Sequence, residues 1–300
     1  MSTLRIAALT ALAMLAFAGN SILCRIALKE TGIDAASFTS IRLASGAAVL
    51  WAITLFVGRD RQGSGNWWSA LALFTYAAGF SFAYISLTAA TGALMLFGAV
   101  QVTMIGYGLW AGERLQKQQL FGFAVAFGGL VGLLLPGLSA PPLVGSALML
   151  IAGMAWGIYS IRGSIRGSTR GSIRGSVGGL IGSKGAGDAT RVTAGNFLRA
   201  SLLALLLSAL MFSDFKADSA GVGYAVASGA ITSGLGYAVW YSVVPALKAA
   251  NAATVQLSVP VIAAVGGIAL LGESITLRFA LATLAILGGI ALVILSKPRN

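Results

Sequence analysis

The segment WWSALALFTYAAGFSFAYISLTAATGALMLFGAVQVTMIGYGLWAG, from Trp67 to Gly112, carries no charge over 46 residues. As one α-helix it would be ~69 Å long, about twice the ~30 Å hydrocarbon core of a bilayer. It must therefore fold back, and Thr91-Gly92 is the expected turn. Barrel strands alternate apolar and polar residues, whereas Leu202–Phe212 and Phe279–Leu295 are apolar without alternation. In lipid every backbone amide must be satisfied internally, so helices are the solution left.

The rest of the chain reads the same way. Of its 300 residues 57% are apolar and 9% charged, and the mean hydropathy is +0.89. That charge content is far below the roughly 25% of a soluble domain. Ten spans are expected: 4–24, 35–57, 67–88, 91–111, 119–136, 143–161, 192–212, 219–243, 252–272 and 277–295. Ile6–Gly19 follows Arg5 like a signal peptide, yet it lacks an A-x-A site and further spans follow, so it reads as an uncleaved first span. Ser21-Ile-Leu-Cys24 is a poor lipoprotein box, because Leu23 stands where a small residue belongs.

Orientation follows from Lys and Arg. With a cytoplasmic N-terminus, Arg5, Arg59, Arg61, Arg114, Lys117, Lys248, Lys297, Arg299 and the arginines of 162–191 lie inside; Arg25, Lys29, Lys216 and Arg278 lie outside. Both termini are thus expected in the cytoplasm of a bacterial-type inner membrane. The net charge of +12 is spent on this topology and implies no nucleic acid. Four tetrapeptides, from Ser160-Ile-Arg-Gly163 to Ser172-Ile-Arg-Gly175, cannot bury a core and predict a flexible cytoplasmic loop over about 162–190.

An internal duplication organises the spans. Gly112-Glu113 recurs 160 residues on as Gly272-Glu273, and the same offset sets Gly128-Gly129 on Gly288-Gly289. An offset of 157 sets Tyr76, Phe80 and Tyr84 on Ser233, Tyr237 and Tyr241. Five spans per half invert the second half relative to the first. The expected fold is an all-α integral membrane protein of ten transmembrane helices, as two inverted five-helix repeats, 1–137 and 138–300. Such repeats place a guest near the midplane.

What is missing narrows the chemistry. With one cysteine and no histidine, neither a disulfide framework nor a Cys/His metal site is available. The eight acids fall in loops or at span ends, so neither paired-acid nor Ser–His catalysis is expected. No enzyme and no cofactor are implied, nor is a proton relay at mid-span. What remains is aromatic and neutral polar. Tyr76, Phe80 and Tyr84 share one helix face, as do Tyr237 and Tyr241. With Trp156, Tyr159, Asn20, Ser21, Gln101 and Gln256 they are the expected substrate-binding residues. Aromatic faces suit an aromatic or cationic guest. Arg42 and Arg199, two turns inside their spans, either contact a substrate carboxylate or snorkel to the interface. Trp67, Trp68 and Trp110 fit an interfacial belt. Pro260 should break the ninth span, and Gly128-x-x-x-Gly132 permits helix packing or dimerisation.

The ten spans, the five-plus-five repeat and the Gly-Glu pairs resemble the drug/metabolite transporter superfamily in its EamA-type branch. Phe17-Ala-Gly-Asn-Ser-Ile-Leu-Cys-Arg-Ile-Ala-Leu28, with Ser37-Phe-Thr-Ser-Ile-Arg-Leu43, is similar to YddG-type exporters of aromatic amino acids and methyl viologen. The first half departs at Val100, which has no match to Pro260. The resemblance implies export of amino acids or related metabolites by alternating access. A non-saturating pore is the alternative. The expected partners are a small-molecule substrate and the lipid bilayer, with the protein a monomer or weak homodimer.

Overall fold

The computed structural model describes residues 2–56, 64–112, 116–137, 140–167, 186–247 and 249–295, and among them all regular structure is helical. The helices are α1 (Thr3–Glu30), α2 (Ala35–Phe56), α3 (Trp67–Tyr84), α4 (Ala89–Trp110), α5 (Lys117–Leu134), α6 (Leu143–Gly167) and α7 (Ala186–Leu210). Next comes one span made of α8 (Ser219–Val226), a π-helical segment (Ala227–Leu235) and α9 (Gly236–Val243). Then follow α10 (Ala249–Gln256), α11 (Ser258–Leu271) and α12 (Leu277–Leu295). Among the described residues nine helical stretches are long and apolar enough to cross a membrane. The remaining long helix, α3, has 18 residues but carries Trp67, Trp68, Tyr76 and Tyr84, which lower its hydropathy.

The burial pattern is that of a protein dissolved in lipid. Leu202, Leu205, Leu206 and Leu210 of α7 face outward, while Asn20, Ser21, Arg42, Asn196, Ser228 and Thr232 are buried. Trp67, Trp68 and Trp110 are exposed near span ends. Helix starts are set by side chains that accept the first free amides. Asn66 accepts from Ser69 N at 3.0 Å, Thr88 from Thr91 N at 3.1 Å and Asp34 from Ser37 N at 2.8 Å.

Several boundaries differ from the sequence reading. The hairpin turns at Ile85–Thr88, not at Thr91-Gly92, because Thr88 caps α4. Gly92 instead sits in the first turn of α4, where a Cβ would lie 2.4 Å from the Tyr84 ring. Of the stretch expected as a loop over 162–190, residues 162–167 belong to α6 and 186–190 to α7. Ile161 is buried with Val100 and Met104. The tetrapeptides beyond Gly167 lie outside the described residues, as do Glu113 and Arg114. The ninth span breaks at Leu257, between α10 and α11. Pro260 is the third residue of α11, where its missing N–H has no helical partner to lose.

The Gly-Glu motif has a backbone reason. Gly112 and Gly272 close α4 and α11 with φ of +90° and +62°, a conformation open chiefly to glycine. Packing pairs α2 with α7, α5 with α12, and α4 with α11. Helix α3 packs on α6, and α1 on the span containing α8 and α9. Gly122 and Gly289 let α5 and α12 touch backbone to backbone, since a Cβ on either would sit within 2.6 Å of the other's carbonyl oxygen.

Candidate functional site

A central cavity lies between α1, α3 and α4 on one side and α6, the π-segment, α9 and α10 on the other. Its volume is about 800 Å³, counting its open mouth, and aromatic rings from both sides crowd it into a cleft.

The rings are ordered by their helices. Gly153 and Gly157 bring α6 against α4, so that Trp156 reaches the centre. Trp156 meets Tyr76 edge-on at 4.4 Å and stacks on Tyr237 at 5.4 Å. Phe17 packs on Tyr237 and Trp240, and Phe80 on Tyr76.

Eight of the residues expected from sequence line this cleft: Asn20, Ser21, Tyr76, Phe80, Gln101, Trp156, Tyr237 and Gln256. Tyr84, Tyr159 and Tyr241 are buried but are not among its lining residues. Tyr84 donates to the Ala89 carbonyl at 3.3 Å and fills the space over Gly92. Tyr159 accepts from Asn196 at 3.3 Å, and Tyr241 pairs with Thr193 at 3.0 Å. Arg199 is at the wall's edge, donating to the carbonyls of Ser64 and Gly195. Arg42 is one layer behind the cleft. It is 2% exposed, donates to Tyr76 Oη at 2.8 Å and lies over the Tyr76 and Phe80 rings at 5.2 and 4.7 Å.

The sequence reading left out several lining residues, among them Phe17, Val100, Met104, Ser160, Thr232, Ser233 and Trp240. Two signals were present. Ser233 is the repeat partner of Tyr76, and Phe17 lies one turn before Asn20-Ser21. The π-helical segment had no such signal. It is the rarer helix, frequent at functional sites, and it aims Ser228 and Thr232 at Asn20 Oδ1, at 2.7 and 3.3 Å.

One end of the bundle is closed by charge. Arg25 Nε lies 3.5 Å from Glu273 Oε1, and both side chains are mostly buried, 11% and 7% exposed. The same guanidinium donates to the carbonyls of Tyr84 and Ile85, at 2.8 and 3.0 Å. Both Glu273 oxygens accept from Ala89 N, at 3.0 and 2.9 Å, a favourable place for a negative charge because it is the N-terminus of α4. Nearby, Asp34 joins the 31–34 and 215–218 loops through Lys216. Burial pushes its carboxyl up, but hydrogen bonds from Lys216, Ser37 and Ala36 outweigh that and leave it below the usual carboxylate range.

Comparison with known proteins agrees with this architecture. An uncharacterised protein of Pseudomonas aeruginosa is 53% identical over 288 residues, covering 95% of this chain and 93% of that protein. An uncharacterised transporter of Archaeoglobus fulgidus is 32% identical over 166 residues, 52% of this chain and 56% of that one. A solved crystal structure shares the fold at a TM-score of 0.64 and 17% identity, over 96% of this chain and 98% of the other. Residues 143–295 match the EamA-like transporter family. The chain is a multi-pass membrane protein and belongs to the EamA-like transporter family, whose members move small solutes.

Proposed function

We propose that the protein exports small metabolites, aromatic and other neutral amino acids first among them, by alternating access across a bacterial-type cytoplasmic membrane. The observation that carries this reading is the composition of the cleft. It joins aromatic faces and neutral polar groups from both sides of residue 137, with no acid among its lining residues. The pairing of α2 with α7 and α5 with α12 supports two inverted halves, 1–137 and 138–300. Matching contacts, α3 with α6 and α1 with α8–α9, support it too. Halves so related hold a guest at their interface and rock about it.

In this frame both termini are cytoplasmic and the Arg25–Glu273 pair closes the outer end. Met104, Ser160, Trp240 and Gln256 then line the cytoplasmic part of the cleft. Tyr76, Phe80, Trp156 and Tyr237 stack on the guest, and Asn20, Ser21, Gln101 and Gln256 meet its polar groups. Tyr84, Tyr159, Tyr241 and Arg199 hold the walls. With no acid or histidine at mid-span, the guest follows its own gradient. The protein works as a monomer or weak homodimer. Aromatic faces alone also suit a flat cation such as methyl viologen, and the charge around the cleft decides between the two.

The test is counterflow of radiolabelled amino acids in liposomes containing the purified protein. Saturable exchange supports the reading. Flux that rises without saturating supports a pore, and no protein-dependent flux overturns both.

A further inference from the structure

The polar wall of the cleft has a direction. Tyr76 Oη accepts from Arg42 Nη2 at 2.8 Å and from Asn20 Nδ2 at 3.2 Å. Asn20 Oδ1 in turn accepts from Ser228 at 2.7 Å. A phenol oxygen that already accepts twice has only its own proton left to offer, and Tyr76 lines the cleft. Trp240 lines it as well; its Nε1 is buried without a hydrogen-bond partner, and an indole nitrogen can only donate.

Behind this wall is a charge. Arg42 Nε and Nη1 are buried without a hydrogen-bond partner. The ion pairs Arg25–Glu273 and Lys29–Glu30 do not involve Arg42. Its guanidinium is thus balanced by the Tyr76 and Phe80 ring faces and one hydroxyl. Arginine stays protonated in proteins, so this positive charge is fixed one ring's thickness from the guest. Gln101 Oε1 of α4, also buried without a hydrogen-bond partner, offers one neutral acceptor to the cleft.

We propose that the cleft selects for a carboxylate on its guest. The Arg42-polarised hydroxyl of Tyr76 and the Trp240 N–H receive that carboxylate, and a guest bearing only positive charge is rejected. Arg42 acts through Tyr76 as a positioning and specificity-determining residue. This rests on the transport reading above and deepens it, because ring stacking by itself would admit a flat cation equally well. The ammonium of an amino acid meets only neutral amides and hydroxyls, with no acid among the lining residues, so it contributes little. Buried donors left unpaired by a guest without a carboxylate, and like charge facing Arg42, each disfavour the wrong class strongly.

Four probes separate the groups: L-tryptophan, indole-3-propionate, tryptamine and methyl viologen. Each is measured on the purified protein by ligand-induced shift in melting temperature, and as a competitor of amino acid counterflow in liposomes. Tryptophan and indole-3-propionate are expected to bind comparably, with tryptamine and methyl viologen weaker by on the order of 100-fold. Arg42→Gln and, independently, Tyr76→Phe should shrink the acid-to-amine ratio at least about tenfold. Arg42→Lys should restore part of it. A purely structural arginine would weaken all four probes alike and leave the ratio unmoved. Tryptamine or methyl viologen binding within about threefold of the acids, or neither acid binding, overturns the proposal. Loss of counterflow for every solute counts against transport itself, while the melting shifts still read the preference.

Discussion

Glu273→Gln removes one charge from the Arg25–Glu273 pair, which the proposed transport cycle places at the outer end, and keeps nearly the same shape. In the native protein the carboxylate lies 3.5 Å from Arg25 Nε, with both side chains mostly out of solvent. Two opposite charges at that separation attract by about 5 kcal/mol at an effective dielectric constant near 20. Much of that offsets their desolvation. Removing one partner of a buried pair commonly costs about 3–5 kcal/mol. Here the lower end applies, because Arg25 keeps its bonds to the carbonyls of Tyr84 and Ile85 and the glutamine oxygen can still accept from Ala89 N. If the pair exists only when the outer end is closed, about 3 kcal/mol shifts the closed-to-open ratio on the order of 100-fold. The readout is a cysteine at position 21, one turn below Arg25 on the same face of α1, in a Cys24→Ala background. A membrane-impermeant maleimide added from outside should label it at least about tenfold faster in the Glu273→Gln variant. Unchanged labelling with a lowered melting temperature would refute the reasoning, because Glu273 would then be a fold staple and not a gate.

Three further outcomes are expected. Trp156→Ala should weaken saturable transport with little loss of folded protein, because the ring meets Tyr76 and Tyr237 across the cleft; concentration dependence of flux in a well-expressed variant checks this. Uptake into proteoliposomes at zero membrane potential should reach the same plateau with and without an imposed pH gradient, since no lining residue is an acid or histidine. Gly229→Ala should destabilise the protein by about 1–3 kcal/mol through overpacking, since its Cβ would sit 2.0 Å from the Arg42 carbonyl oxygen; thermal unfolding in detergent measures it.

Much of the bundle was legible because lipid leaves few solutions. Charge-free runs fixed the spans, and Gly112 and Gly272 marked two helix ends that the backbone angles explain. The turn after α3 was misplaced for a local reason. Thr91-Gly92 has turn composition, but Gly92 answers to the Tyr84 ring packed against it and not to a loop. The expected sixth span ended at Ile161 because Gly and Arg predict loop, whereas α6 runs on through Gly167. Propensity yields to packing at Gly92.

The site was legible by residue type and less so by depth. Tyr76, Phe80 and Tyr84 share a helix face and a ring-to-ring chain, with Phe80 and Tyr84 centroids 4.7 Å apart. Spacing alone gives the three one role. The bundle divides them, because one end is drawn together where Arg25 binds the Tyr84 carbonyl and Glu273. Beside that contact the Tyr84 ring fills space against Gly92. Below it the same face borders the cleft, and there Tyr76 carries the bonds from Arg42 and Asn20. A helix face thus identifies which side chains point inward. Which of them border the cleft depends on tertiary contacts such as Arg25 with Glu273, whose residues are too far apart in sequence for any local pattern to hold.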